Sequence, residues 1–435
     1  MRHHVIAAPA GDAPGAPARP GDGRQPKQRI ALYSHDTMGI GHMRRNLLIA
    51  GALAGGRSPA VILLIAGARE INAFGVPAGV DCLSLPALQK QGNGQYQARH
   101  LDLSLNELIA LRARSIAAAL EAFAPDVLIV DKVPRGAVNE LEPALEALRH
   151  TGRTRCVLGL RDVLDDPATV RREWRAAANA EAVRDHYAAV WVYGDPAVYD
   201  PVAEYGFPPE VAARVRYTGY LDQRRRTRLA DIDGAEEIVA RLAACPERLA
   251  LCLVGGGQDG GPLTEAFARA DFPPDMTGVI LTGPFIAPGV RARLYRRAAG
   301  NPRLRVLGFV TDCDLLLERA DRVVTMGGYN SVCEVLSLGK PALIVPRVEP
   351  RQEQLIRAER FRRLGLVDLL HPDALSPRAV SEWLARDLVP PPCPRDRIDL
   401  NGLAKLPGLV AELLGAAPAS GRNPRPEKRN CHAAP

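Results

Sequence analysis

The chain has 435 residues, 47% of them apolar and 5% aromatic, and its 56 Lys and Arg against 49 Asp and Glu leave a net charge of +7. The length exceeds the roughly 100–200 residues of one domain and the apolar share is ample for ordinary cores, so two domains are expected. A modest positive excess spread over many helices points to an anionic small ligand rather than to nucleic acid, and scarce aromatics argue against a stacking platform for single strands.

Residues 1–28 are rich in Ala, Pro and Gly without an apolar signal core, and read as a disordered tail that leaves His3 and His4 in solvent. From Arg29 onward short β-branched and Leu-rich runs alternate with helical stretches: RIALYSH (29–35), AVILLIAG (60–67), DCLSLPA (81–87), DVLIVDKV (126–133), RCVLGLRD (155–162) and AVWVYGD (189–195). That alternation predicts a parallel sheet wrapped by crossover helices. Even AVILLIAGA is about half the ~20 residues of a membrane-spanning helix, and it reads as a buried strand. A helix is predicted over 103–123, ended by Pro125.

The first strand runs into SHDTMGIGHMRRN, where Gly39 and Gly41 make a strand-to-helix turn whose free N–H groups suit an anion. His42 follows. At the positive end of a helix dipole it stays neutral and available as a base, although capping or packing on the turn explains it equally well. His35 and Asp36, at the end of the same strand, are second candidates. Arg44 stands where a dinucleotide fingerprint needs its third glycine, the second strand ends with only a poorly placed Glu70, and no Gly-Lys-Ser/Thr follows. Nicotinamide, flavin and phosphate-loop hydrolase readings are disfavoured accordingly.

After residue 222 the chain turns polar, so 29–222 is read as an N-terminal domain, 223–247 as a linker with a solvated Arg cluster at 224–228, and 248–414 as a C-terminal domain before a second disordered tail, 415–435. The second series runs RLALCLVGGG (248–257), GVILTGPF (278–285), LRVLGFV (304–310), DRVVTMGG (321–328) and PALIVPRV (341–348). The expected fold class is α/β: two tandem Rossmann-like, doubly wound domains facing a cleft, with ligands where loops leave the C-terminal ends of the strands.

Gly255, Gly256 and Gly257 with Gln258 repeat the strand, turn and helix design, and five glycines within 255–261 exceed what a tight turn demands. TDCD (311–314) reads as a helix N-cap rather than a metal motif, so neither metal nor cofactor is expected. Eight cysteines without a Cys-x-x-Cys pair fit reduced core thiols of a cytoplasmic protein. In TMGGYNSVCE, Gly327 and Gly328 open a helix, and the Tyr329-Asn330-Ser331 segment offers donors to a diphosphate that gains charge as it leaves. Glu334, a turn further in, suits the paired hydroxyls of a ribose, or is a surface Glu at a helix start. Arg351, Gln352, Glu353 and Gln354 open the next helix with side chains able to read sugar hydroxyls or pyrophosphate.

Together GGGQDGG, MGGYNSVCEVLSLGKPALIVP and RQEQLIRAE resemble the C-terminal half of GT-B fold glycosyltransferases, most closely glycosyltransferase family 28, whose members include peptidoglycan N-acetylglucosaminyltransferase-like enzymes. GIGHMRRN supports the N-terminal half. The resemblance implies a nucleotide diphosphate sugar, a UDP-sugar, held by the C-terminal half, an acceptor held by the N-terminal half, and inverting, metal-independent transfer. It assigns the ribose to Glu334, the diphosphate to residues 327–331, the sugar to Gln352, Glu353 and Gln354, and the nucleotide or diphosphate lining to Gly255–Gln258. His42 becomes base or acceptor-positioning residue. Gln-Glu-Gln stands where the family commonly has paired glutamines, which leaves the donor sugar open. A nucleotide-sugar 2-epimerase and a non-catalytic nucleotide-sugar binder are the alternatives. The acceptor is unspecified, and a peripheral contact at the inner face of a membrane is left open although no amphipathic segment marks one.

Overall fold

The structure, a computed structural model, describes residues 27–35, 41–56, 60–67, 75–90, 95–225, 242, 247–308, 314–387 and 391–415. Its first sheet contains β1 (Arg29–Ser34), β2 (Val61–Ala66) and β3 (Val80–Ser84); a small hairpin of β4 (Leu88–Lys90) and β5 (Tyr96–Ala98) follows. The sheet continues with β6 (Val127–Asp131), β7 (Arg155–Arg161), β8 (Ala189–Tyr193) and β9 (Val215–Tyr217) in the order β3-β2-β1-β6-β7-β8-β9, every pairing parallel. The second sheet has β10 (Arg248–Leu253), β11 (Met276–Leu281), β12 (Leu304–Leu307), β13 (Arg322–Thr325), β14 (Ala342–Ile344) and β15 (Asp368–Leu369). Its order, β12-β11-β10-β13-β14-β15, is also parallel throughout.

The reason is composition. VLIVD in β6 and MTGVIL in β11 are buried at every position, as central strands covered on both faces must be. In each sheet the chain winds one way from the first strand and then returns to its other side. The switch points therefore lie between β1 and β6 and between β10 and β13. Loops diverge there and leave a crevice at the strand ends, which is where such sheets take ligands.

Every strand run read from the sequence is a strand. β9, β15 and the β4-β5 hairpin had no such signal, because two or three residues are too few to show a period. The predicted 103–123 helix spans Leu105–Phe123: Ser104 and Glu107 close a capping box at its start, and Ala124, left-handed at φ 45°, ends it just before Pro125. The terminal tails, most of the polar linker and residues 311–313 of TDCD lie outside the described residues.

The two lobes are tied closely. The last helix, Gly402–Leu413, returns to the first lobe and packs Leu403, Leu406 and Val410 against Leu47, Ala50 and Leu53 of the Gly41–Ala54 helix. Across the cleft the Arg357 guanidinium forks onto the Asp162 carboxylate at 2.6–2.9 Å, both side chains 1% exposed. Arg351 reaches Asp165 at 2.9 Å, Arg360 reaches Glu204 at 2.5 Å, and the Gln223 N–H donates to Ser337 Oγ at 3.0 Å. Removing one member of a buried pair strands the other's charge. Asp162→Ala is expected to lower stability by about 3–5 kcal/mol in urea titrations, whereas Arg378→Ala, which breaks the exposed Arg378–Glu382 pair, leaves the midpoint unchanged. Equal effects would show that the lobes do not depend on this pair.

Candidate active site

Glycines read from the sequence stand at the two switch points. Gly41 opens the Gly41–Ala54 helix that follows β1, and the turn after β13 leads into the Tyr329–Leu338 helix. These two helix starts meet: the Asn330 Nδ2 donates to the Gly41 carbonyl at 2.9 Å. Each helix start carries roughly half a positive charge on unpaired N–H groups, and Gly328 supplies no side-chain cap. Two such ends side by side favour an anion between them.

Gly327 is required for this approach. It sits at φ +84°, and a Cβ there would lie 2.7 Å from Ile344 Cγ2. Gly257, in the turn after β10, is equally constrained at φ +88°, with a Cβ 2.1 Å from the Thr282 carbonyl oxygen. Next to it Gln258 is exposed, and Asp259 accepts from Arg347 at 3.1 Å, which joins this turn to the segment after β14.

On the first lobe His42 is anchored by a residue that the sequence reading missed. The Asp131 carboxylate, at the end of β6, lies 2.6 Å from His42 Nδ1 and takes Arg45 Nη2 at 2.6 Å on both oxygens. A carboxylate only accepts, so Nδ1 carries the proton and Nε2 keeps its lone pair. Among the described residues Nε2 has no hydrogen-bond partner, and the side chain is 16% exposed. Burial, with Arg45 and Lys132 nearby, brings His42 down to about 4 despite Asp131. Burial opposes the Asp131 charge too, but Arg45 and His42 outweigh it and hold the carboxyl well below the usual range. The site thus holds a neutral imidazole on an ionised carboxylate. The signal was present in sequence as an acid closing an apolar strand, DVLIVD.

Glu334 is 2% exposed, and its carboxylate points across the cleft to Arg44 of the first lobe, 2.9 Å away. Tyr329 is a wedge between lobes, buried between the Arg45 and Arg357 guanidinium groups, each 5.7 Å from its ring centroid. Arg357 Nη1 also donates to the Gly327 carbonyl at 3.1 Å. Gly328, Asn330 and Ser331 are partly exposed. In the next helix start Arg351 and the Gln352 N–H hold Asp165, at 2.9 and 2.7 Å. Gln354 Oε1 accepts from the Arg347 N–H at 2.9 Å. Glu353 is 5% exposed, with one oxygen 2.7 Å from Arg347 Nη2 and the other buried without a partner. His35 is buried beside His42, ring centroids 5.1 Å apart, with Nδ1 unpartnered. Asp36 and Gly39 lie outside the described residues. Among the described residues no three His, Cys, Asp or Glu side chains group as a metal site would require.

Residues 279–395 match the glycosyltransferase family 28 C-terminal domain. Over 140 residues the chain is 29% identical to a UDP-N-acetylglucosamine--N-acetylmuramyl-(pentapeptide) pyrophosphoryl-undecaprenol N-acetylglucosamine transferase of Saccharopolyspora erythraea, covering 32% of this chain and 36% of that protein. Among solved structures, the calicheamicin glycosyltransferase CalG4 superposes with a TM-score of 0.57 at 18% identity, over 89% of this chain and 99% of that one. A UDP-GlcNAc 2-epimerase from Neisseria meningitidis, bound to UDP-GlcNAc, superposes with a TM-score of 0.53 at 13% identity, over 89% and 98%. The chain has the GT-B fold.

Residues 279–395, in its second lobe, are family 28-like. The neutral histidine has a consequence for stability. Between pH 6.5 and about 4 the unfolded chain binds a proton that folded His42 refuses, so stability falls as pH drops through this window. The slope is at most about 1.4 kcal/mol per pH unit for this group. In urea titrations at stepped pH, His42→Gln is expected to flatten that slope; an unchanged slope contradicts the assignment.

Proposed function

We propose that the protein transfers a hexose or N-acetylhexosamine from a nucleotide diphosphate sugar, a UDP-sugar, to an acceptor hydroxyl, inverting the anomeric centre. One observation carries the reading: two helix starts, the second without a side-chain cap, meet at Asn330 and Gly41, with the Glu334 carboxylate on one side and the His42–Asp131 pair on the other. Support also comes from the family 28 C-terminal match and from relatives and fold neighbours named as UDP-sugar enzymes.

In this reading the diphosphate lies on the first-turn N–H groups of the Tyr329–Leu338 helix. Glu334 exchanges Arg44 for the ribose hydroxyls. The acceptor hydroxyl gives its proton to His42 Nε2 as its oxygen attacks the anomeric carbon, and the bond from that carbon to the diphosphate oxygen breaks. Charge accumulates on the leaving diphosphate, where the helix start stabilises it, while Asp131 stabilises the imidazolium. Preorganised donors of this kind contribute on the order of 3 kcal/mol each and a positioned base ~10²–10⁴-fold. In this reading the work lies in the cytoplasm, with contact at the inner membrane face for a lipid acceptor. No helix among the described residues is long and apolar enough to span a membrane.

Calorimetry with UDP separates binding from chemistry. Glu334→Ala is expected to weaken UDP by about ten- to a hundredfold through two lost charge-assisted hydrogen bonds. His42→Ala keeps UDP affinity and lowers turnover by ~10²–10⁴. Incubation with UDP-GlcNAc alone is expected to return the sugar unchanged. Accumulation of its 2-epimer would contradict transfer, and an unaltered rate in His42→Ala would remove the base from the mechanism.

A further inference from the structure

Almost every cation at the lobe interface has a carboxylate: Arg45 has Asp131, Arg44 has Glu334, Arg351 has Asp165, and Arg357 has Asp162. Lys132 and Arg161 do not. Among the described residues neither has a side-chain hydrogen bond or ion pair, and Arg161 Nε is buried without a partner. Arg161 is the last residue of β7 and Lys132 follows the last residue of the neighbouring parallel strand β6, with the Lys132 N–H on the Gly159 carbonyl at 2.8 Å. Adjacent strands lie about 4.8 Å apart, so both cations stand at one rim of the cleft, a strand or two from His42.

Lys132 also has a left-handed backbone at φ +69°, which an unbranched non-glycine residue adopts only under constraint. Like charges are thus held together in strained backbone with little to offset them. Facing Lys132 are Arg161 and Asp131 from its own lobe and Arg351 and Glu353 from the other. Asp131 is taken by Arg45 and His42, and Arg351 by Asp165; Glu353 spends one oxygen on Arg347 and keeps the other unpartnered, a single carboxylate before two cations that it does not reach with a hydrogen bond. Burial and the neighbouring Arg161 and Arg351 bring the Lys132 ammonium down to about 7, the direction expected of a site short of negative charge.

We infer that Lys132 and Arg161 seat a second anion, a carboxylate or phosphate group of the acceptor or of the transferred sugar, separate from the diphosphate on the Tyr329–Leu338 helix. The geometry puts this group on the acceptor lobe, within about two strand spacings of the reacting hydroxyl. Naming its source rests on the transfer reaction proposed above; the anion seat itself rests on the unpaired cations.

The test is calorimetric titration of inorganic phosphate into full-length protein saturated with UDP. Wild type is expected to bind phosphate, and Lys132→Gly and Arg161→Gln each to weaken it about tenfold or more, the effect of losing a charge-assisted contact of about 1.4 kcal/mol. Lys132→Gly tolerates positive φ and so keeps the fold, and Arg161→Lys is expected to retain binding. UDP-glucuronate against UDP-glucose distinguishes the sources. Tighter UDP-glucuronate, with the advantage lost in Lys132→Gly, assigns the anion to the transferred sugar; equal donors with phosphate still bound beside UDP assign it to the acceptor. Wild type that binds neither phosphate nor UDP-glucuronate preferentially, or variants equal to wild type, overturns the inference. Failure to bind UDP sinks the transferase reading instead, and the phosphate titration without UDP still decides the anion seat.

Discussion

Arg357 holds the molecule's working geometry. Its guanidinium forks onto Asp162 at the end of β7, donates to the Gly327 carbonyl in the turn after β13, and lies over the Tyr329 ring, which the Arg45 guanidinium also approaches. One buried side chain thereby fixes a strand end of the first lobe, the glycine turn of the second and the aromatic wedge between them. A charge so deeply buried is tolerable only with its hydrogen bonds satisfied, so this contact has little freedom to slide. Everything else in the cleft is positioned relative to it: the two helix starts meet at Asn330 and Gly41, and Arg44 reaches Glu334, because the lobes are pinned a few residues away.

The floor of the cleft is polar and buried at Asp131, Arg45, Asp162 and Arg357, and that combination shapes its chemistry. Withdrawing His42 from water keeps it neutral, and the same withdrawal strengthens its grip on Asp131, so ring orientation and proton position are set before a substrate arrives. The first lobe repeats the device away from the cleft, where the Arg112 fork on Glu140, joined by the Tyr33 hydroxyl, fastens the Leu105–Phe123 helix to β1. Buried ion pairs are thus used as fasteners throughout the first lobe and across the cleft. The exceptions, Lys132 and Arg161, stand out for that reason.

Much of this was legible in the residues. Parallel strands announce themselves as unbroken apolar runs, and glycine turns at strand ends mark where backbone approaches a ligand, so Gly41, Gly257, Gly327 and the helix starts behind them were all readable. His42 and Glu334 were readable as candidates because each follows such a turn by one or a few residues. Their partners were not. Asp131, Arg44, Arg45, Asp162 and Arg357 are joined only by the sheet order and the packing of one lobe on the other, contacts separated by 86 to 290 residues that no local pattern encodes. Tyr329, read as part of a binding turn, is instead a wedge between two arginines, a role that depends on both lobes at once. The useful signal for the missed acids was simple: an Asp ending a fully apolar strand beside a switch point has left water for a reason.

The account depends on a diphosphate bridging the two helix starts. A crystal structure of the protein with UDP tests it most directly: the account predicts the β-phosphate within hydrogen-bond distance of the Asn330 and Ser331 backbone N–H groups and the ribose hydroxyls on Glu334. A nucleotide seated elsewhere, with Arg44 still on Glu334 and those amides unengaged, would contradict it.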